Sequence, residues 1–360
     1  MTTTEAQGEA TVSPKVGFRR SERSTAVTSG LLGVVLLVLV ALPYLAYRSV
    51  TDSLVTFFIL LTISSMWNLL AGFAGLVSVG QQAYIGLGAY AVLALSDAGV
   101  QPYVGVLLAA VVCAVIALPT SLLAFRLRGD YFAVGTWVIA EVYRLVIVQV
   151  DSLGGGSGRS LTTLSGLDIV VRQALTYWVA LAVAVLAVAA CYVLLRGRLG
   201  LALTAVRDNE VSASSAGVRV SRAKRVVYLI SAAGCGAAGG VLIVSSLSVQ
   251  ADYAFTVQWS VFMIFIVIIG GLGYVEGPII GTIVFFALQQ LLGDYGTWYL
   301  ILLGVLAVVV AIWLPRGLYG VVFDRFGLRL FPVGHHVTGL DDGRPARARP
   351  RSLVRTVLRR

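Results

Sequence analysis

Apolar stretches close to twenty residues long recur through this chain from residue 30 to residue 314, and that pattern decides most of what it can fold into. Wound as an α-helix rising ~1.5 Å per residue, such a stretch spans the ~30 Å of hydrocarbon in a bilayer. The 360 residues are 58% hydrophobic and only 12% charged, whereas soluble domains carry about 25% charged residues. A β-barrel is the competing fold, but these runs lack its period-2 alternation. The expected fold is an all-α polytopic membrane protein with about ten transmembrane helices, within a range of about eight to ten.

The runs place spans near 30–48, 54–71, 81–97, 103–125, 131–149, 175–195, 225–248, 259–275, 278–293 and 298–314. Lys and Arg gather on the cytoplasmic side of span ends. With both termini cytoplasmic, Arg126, Arg128, the 196–225 island and Arg316 onward fall inside, while Asp97, Asp151 and Asp252 fall outside. The chain divides into a cytoplasmic N-terminal tail (1–29), a transmembrane domain (30–315) and a basic cytoplasmic tail (316–360). Within the last tail, residues 341–360 are Pro- and Arg-rich and read as disordered, with acidic-lipid contact open to them. The formal charge of +10 comes from tails and inward loops, so positive-inside bias explains it without a nucleic-acid partner. Cys113, Cys191 and Cys235 lie far apart in apolar runs, with neither metal-ligand nor disulfide spacing. Both histidines, His335 and His336, sit in the C-terminal tail.

Residues 196–225 form the one polar island between long apolar runs, with seven basic residues (Arg196, Arg198, Arg207, Arg219, Arg222, Lys224 and Arg225) against Asp208 and Glu210. Between Gly200 and Gly217 the island lacks Pro, and Leu203, Val206, Val211 and Ala213 recur near helical spacing. A short cytosolic helix with one apolar side is expected there, presented for another protein to grip.

Four other stretches carry polar or flexible features. In 68–95, Gly72, Gly75, Gly80, Gly86 and Gly88 interrupt two spans, and Ser78, Gln81, Gln82 and Tyr84 add polar groups. Broken backbone at membrane depth must be buried in protein or line a watery path, so close packing and a translocation pathway both stay open. Glu141 and Arg144 sit one turn apart in an apolar run, and read as an intramembrane pair that neutralises itself. The outward loop 151–167 is glycine-rich and is expected to be flexible. Gly273, Gly277 and Gly281 repeat at four-residue spacing, with Gly236 and Gly240 in a second small-residue run, as on faces where helices approach closely. Pro278 suits the first turn of the following helix.

Several of these stretches together resemble the branched-chain amino acid (LivM-type) ABC transporter permease family. The resembling patterns are Gly-Arg-x-x-x-Ala-x-x-Ala-x-Arg-Asp-Asn-Glu ending in Ala-Gly-Val, and Asn-Leu-Leu-x-Gly-x-Ala-Gly-x-x-Ser-x-Gly. Leu-Arg-Gly-Asp-Tyr-Phe-Ala with Glu-x-x-Arg-Leu, and Gly-Gly-Leu-Gly-x-x-x-Gly-Pro-x-x-Gly, follow in family order from about residue 54 to 320. The loop Leu-Gly-Gly-Gly-Ser-Gly departs from the family's Thr-Gly-Gly-x-x-Gly. The resemblance implies that the island is a coupling loop, with Arg207, Asp208, Asn209, Glu210 and Gly217 at the contact with an ATPase. It also implies a LivH-type sister permease, two ABC ATPase subunits holding ATP and Mg, an extracytoplasmic solute-binding protein, and residence in the bacterial inner membrane. Branched-chain amino acids are the implied solutes, with urea or short amides as alternatives.

The chain itself shows no phosphate-binding loop, since neither Lys15 nor Lys224 follows the required glycines. It shows no nucleophile–base constellation either, so it is not read as an enzyme, and no cofactor or metal is expected on it. The competing class is an ion-coupled secondary transporter using Glu141 or Glu276. A cytosolic docking helix favours the ATP-driven reading.

Overall fold

The computed structural model describes residues 17–18, 22–45, 47–127, 129–164, 166–293, 298–314, 316–326 and 337–338. The main compact unit, Gly30–Val333, is helical almost throughout. A separate unit from the two chain ends contains an antiparallel pairing of Gly17–Phe18 with Val337–Thr338. The rest of the expected N-terminal tail, both histidines and the Arg-rich end lie outside the described residues.

Each expected apolar segment is helical. The helices are α1 (Glu22–Leu45), α2 (Arg48–Asn68, extended by a π-turn at Leu69–Phe73), α3 (Gln82–Asp97), α4 (Pro102–Ala124) and α5 (Asp130–Val148). They continue with α6 (Ile169–Arg196), α7 (Arg198–Asp208), α8 (Glu210–Ser215), α9 (Val220–Ser246), α10 (Ala251–Ala254), α11 (Gln258–Gly270), α12 (Gly277–Leu292), α13 (Trp298–Trp313) and α14 (Gly317–Phe326). Among the described residues seven helical segments are long and apolar enough to cross a membrane. The expectation of about ten therefore meets these seven together with three shorter apolar stretches: Gly33–Tyr44 within α1, α3, and Gly277–Leu292. One of these, α3, has 16 residues and a length of ~24 Å against ~30 Å of hydrocarbon.

Two helices form the centre. Within their apolar windows α2 is 78% buried and α9 is 72% buried, whereas α5 is 17% buried. α9 lies against α3 and α4 at glycines: a Cβ on Gly239 would fall 1.9 Å from the Ile85 carbonyl oxygen, and one on Gly236 2.5 Å from Cys113 Sγ. Gly240 meets Val106 on the same α4 face. Helices this close have room only for hydrogen at the contact. The α1–α6 contact has a different cause. Pro43 lies inside α1 and has no N–H to give the Leu39 carbonyl. Tyr177 Oη donates to that carbonyl at 2.8 Å instead.

One expectation needs correction. The loop at 151–167 is not loose: Arg159–Ser160 pairs antiparallel with Ser248–Val249, and Arg159 Nη1 bonds Asp97 and the Ser152 carbonyl, both at 2.6 Å. Its glycines serve tight left-handed turns, with φ of 106°, 51°, 84° and 83° at Gly154, Gly155, Gly156 and Gly158. Past the last expected span, Gly317–Phe326 forms α14, whose Tyr319 ring lies 5.1 Å from that of Tyr274, while the Pro- and Arg-rich stretch at 341–360 lies outside the described residues.

Candidate functional site

The polar groups of the transmembrane body converge where α2 ends. The helix widens into its π-turn, the chain runs without helical structure over 75–80, and α3 begins at Gln82. Irregular backbone here needs partners inside the protein, and they come from distant segments. Trp67 Nε1 donates to the Ser78 carbonyl at 2.8 Å, and Thr136 Oγ1 accepts from Val79 N at 3.2 Å. Ser260 Oγ donates to the Val79 carbonyl at 2.9 Å and also lies against Gln82 Oε1. Asn68 ties this end of α2 to the turn between α11 and α12: its Oδ1 accepts from Gly273 N at 2.9 Å, and its Nδ2 donates to the Tyr274 carbonyl at 2.8 Å.

Ser78, Gln81, Gln82 and Tyr84, expected beside a pathway, are all at most 1% exposed. The structure places them in the interior, holding the broken stretch. Gln81 Oε1 accepts from Ser231 Oγ at 3.4 Å, and Tyr84 Oη donates to Tyr228 Oη at 3.0 Å. Gln81 Nε2 and Ser65 Oγ are buried with no hydrogen-bond partner among the described residues. A small cavity beside Ser65 and Asn68 is closed by Phe73, Val188, Cys191, Val275 and Pro278.

Gly273, Gly277 and Gly281 line the α11–α12 turn. Gly273 has φ +80° and faces the Gly72 carbonyl. A Cβ on Gly277 would lie 2.1 Å from the Gly271 oxygen, and one on Gly281 1.9 Å from the Ile266 oxygen. Pro278 occupies the first turn of α12.

The polar island folds as two helices rather than one. They break at Asn209, whose extended backbone (φ −161°, ψ 110°) leaves its side chain to cap α8 by accepting from Val211 N and Ser212 N at 3.0 Å. Gly217 (φ +83°) closes the other end of α8, as its N–H reaches the Ser214 carbonyl and Val218 N the Ala213 carbonyl, each at 3.0 Å. Glu210 pairs with Lys224 of α9. Asp208 pairs with Arg207 at 3.2 Å. Leu203, Val206 and Ala213 pack inward as the periodicity implies, but Val211 is 76% exposed. From 207 to 217 the surface is open except at Ala213. Arg207 alone of the five motif residues reaches the broken end of α2, where its Nη1 donates to the Gly72 carbonyl at 2.8 Å.

Glu141 and Arg144 pair as the sequence suggests, with Arg144 Nε 2.9 and 3.0 Å from the two carboxylate oxygens. The structure adds Asp252 of α10, 2.7 Å from Arg144 Nη1. Sequence reading missed this partner, together with Asn68, Thr136, Ser231 and Ser260. Among the described residues no cluster of His, Cys, Asp or Glu is placed to hold a metal ion.

The family of permease components of branched-chain amino acid transport systems matches residues 49–311. The chain belongs to that family. This permease is 28% identical over 332 residues to the "High-affinity branched-chain amino acid transport system permease protein LivM" of Salmonella typhimurium, covering 85% of this chain and 78% of that one. It matches the LivM protein of Escherichia coli to the same extent. It is 26% identical over 286 residues to the "Fructose import permease protein FruG" of Bifidobacterium longum, covering 75% of this chain and 82% of the relative. No solved structure matches it. As a permease of this family with its long apolar helices, it is a multi-pass membrane protein and a transport subunit.

Proposed function

We propose that the chain is the membrane-spanning subunit of an ATP-driven importer that moves branched-chain amino acids, or a similarly small polar solute, inward by alternating access. The supporting observation is the open shelf at 207–217, presented on a polar island between α6 and α9 of a permease-family chain. On this reading, the shelf receives an ATPase subunit through Asp208 and the exposed α8 face around Val211. Two ATPase subunits carry ATP and Mg, a LivH-type permease completes the membrane body, and a solute-binding protein delivers substrate. The protein resides in the bacterial inner membrane with both termini in the cytoplasm.

The solute path lies along α5 against the sister permease. α5 is the least buried of the long helices, yet it carries Glu141 and Arg144 with side chains 47% and 25% exposed. Ionisable groups at this depth face protein or water rather than lipid. The path is therefore shared between subunits, and the Ser78–Tyr84 stretch supports it from within. An ion-coupled carrier would need an uncommitted carboxylate, and Glu141 is engaged by Arg144. Branched-chain amino acids are favoured over sugars because the LivM relatives align over more of this chain than FruG does.

The test is uptake in proteoliposomes holding the permease, its sister, the ATPases and the binding protein, with leucine, fructose and urea as solutes. ATP-dependent leucine uptake is expected. Val211→Glu is expected to abolish copurification of the ATPase while leaving membrane insertion intact. Proton-driven uptake by the chain alone would replace this reading with the secondary-carrier one.

A further inference from the structure

The guanidinium of Arg207 turns away from the open shelf and into the body of the protein. Its Nη1 donates to the Gly72 carbonyl at 2.8 Å, in the last turn of the α2 extension. The carbonyls of a helix end carry partial negative charge, so a cation docked there is held by charge as well as by a hydrogen bond. Two glycines clear the route. A Cβ on Gly75 (φ +68°) would lie 3.3 Å from Arg207 Cγ, and one on Gly273 would lie 3.3 Å from Nη1. The same guanidinium meets Asp208 through Nε, on the solvent side, and the side chain is 39% exposed. Leu203 and Val206 are buried on the inner side of α7, so the helix sits firmly on the body, and this arginine lies in its last turn.

We infer that Arg207 is a positioning residue that carries displacement of the α7–α8 shelf into the broken end of α2, and is not itself an ATPase contact. The π-turn is a place where helix register shifts readily. Beyond it lies the stretch in which Val79, Gln81 and Gln82 meet α5, α9 and α11. A push on the shelf moves the Gly72 carbonyl, and the carbonyl moves the stretch that follows. Glu210–Lys224 supplies the second strut, from α8 to α9. The inference rests on the importer reading above and assigns one residue of that coupling motif to the membrane side.

The experiment uses the complete transporter in proteoliposomes, with Arg207→Ala, Arg207→Gln and Arg207→Lys alongside wild type. Copurification of the ATPases, ATP hydrolysis and leucine uptake are measured on the same preparations. Arg207→Ala and Arg207→Gln are expected to keep the ATPases bound and to hydrolyse ATP. Their uptake per ATP should fall by about tenfold or more, the scale of one lost charge-assisted hydrogen bond. Arg207→Lys should recover part of the loss, because an ammonium still reaches a carbonyl. Loss of ATPase binding in Arg207→Gln, or wild-type uptake per ATP in Arg207→Ala, would each overturn the inference. A wild-type complex without ATP-driven uptake would instead overturn the importer reading.

Discussion

Asn68 is the residue on which the junction of α2 with the α11–α12 turn depends, and replacing it separates two physical effects. Its amide is 2% exposed and satisfies two backbone groups more than two hundred positions away, Gly273 N at 2.9 Å and the Tyr274 carbonyl at 2.8 Å. Asn68→Leu fills the same space but strands both groups where water does not reach them. Each stranded group costs about 1–3 kcal/mol, so the pair costs about 2–6 kcal/mol. The leucine returns about 2 kcal/mol of apolar burial, leaving a net loss centred on about 2 kcal/mol. Asn68→Ala removes the same bonds but enlarges the small cavity beside Ser65, and a water molecule there restores part of the lost bonding. The expected order of stability is wild type, then Asn68→Ala, then Asn68→Leu. Thermal unfolding of the purified protein in detergent reads that order directly. An Asn68→Leu variant as stable as wild type, or more stable than Asn68→Ala, would refute the view that satisfied backbone groups hold this junction.

Gly239→Leu places a side chain where a Cβ already sits 1.9 Å from the Ile85 oxygen, so α3 and α9 must separate. The variant should fail to accumulate in membranes, while Gly166→Ala, with nothing within 4 Å, should accumulate normally. Glu141→Gln and Asp252→Asn each leave Arg144 with one carboxylate, whereas the double variant leaves it with neither. The double variant should lower the unfolding temperature by more than the sum of the singles, and additive shifts would show that the three groups do not act as a unit. Gly217→Ala forces a side chain into a left-handed position (φ +83°) at a cost of about 1–2 kcal/mol. ATPase affinity, titrated on the detergent-solubilised permease, should weaken by about fivefold to thirtyfold, and an unchanged affinity would remove α8 from the docking surface.

Long apolar runs announce helices because lipid leaves the backbone no other partner, and α4, α5 and α6 lie where those runs place them. Side-chain direction was less legible. Ser78, Gln81 and Gln82 are polar groups at membrane depth, and such groups face either protein or water. Only their partners decide which, and those lie far off in sequence: Thr136 is 57 positions from Val79, Ser231 is 150 from Gln81, and Ser260 is 178 from Gln82. The break at Asn209 was also hidden, because Asn is tolerated in a helix and favoured at its cap. The glycines of 154–158 read as looseness, but left-handed turns need the same residue, and pairing with Ser248–Val249 supplies the order. Asp252 looked like an ordinary loop acid until α10 brought it to Arg144.

The distribution of burial argues for where motion originates and where it ends. α2 and α9 are enclosed by the rest of the chain, so neither can move far without carrying neighbours with it. α2 is nevertheless interrupted at its end, and α9 begins at the island with Lys224 held by Glu210. The two most enclosed helices are thus also the two that the shelf touches through charged side chains, Arg207 at one and Glu210 at the other. A contact made only with a peripheral helix such as α5 would shift a surface and leave the interior seam unchanged. On the proposed coupling, reaching the centre directly would let a small displacement at the shelf act on the stretch that holds Ser78 to Gln82, and the α5 face would follow because Thr136 binds that stretch to it.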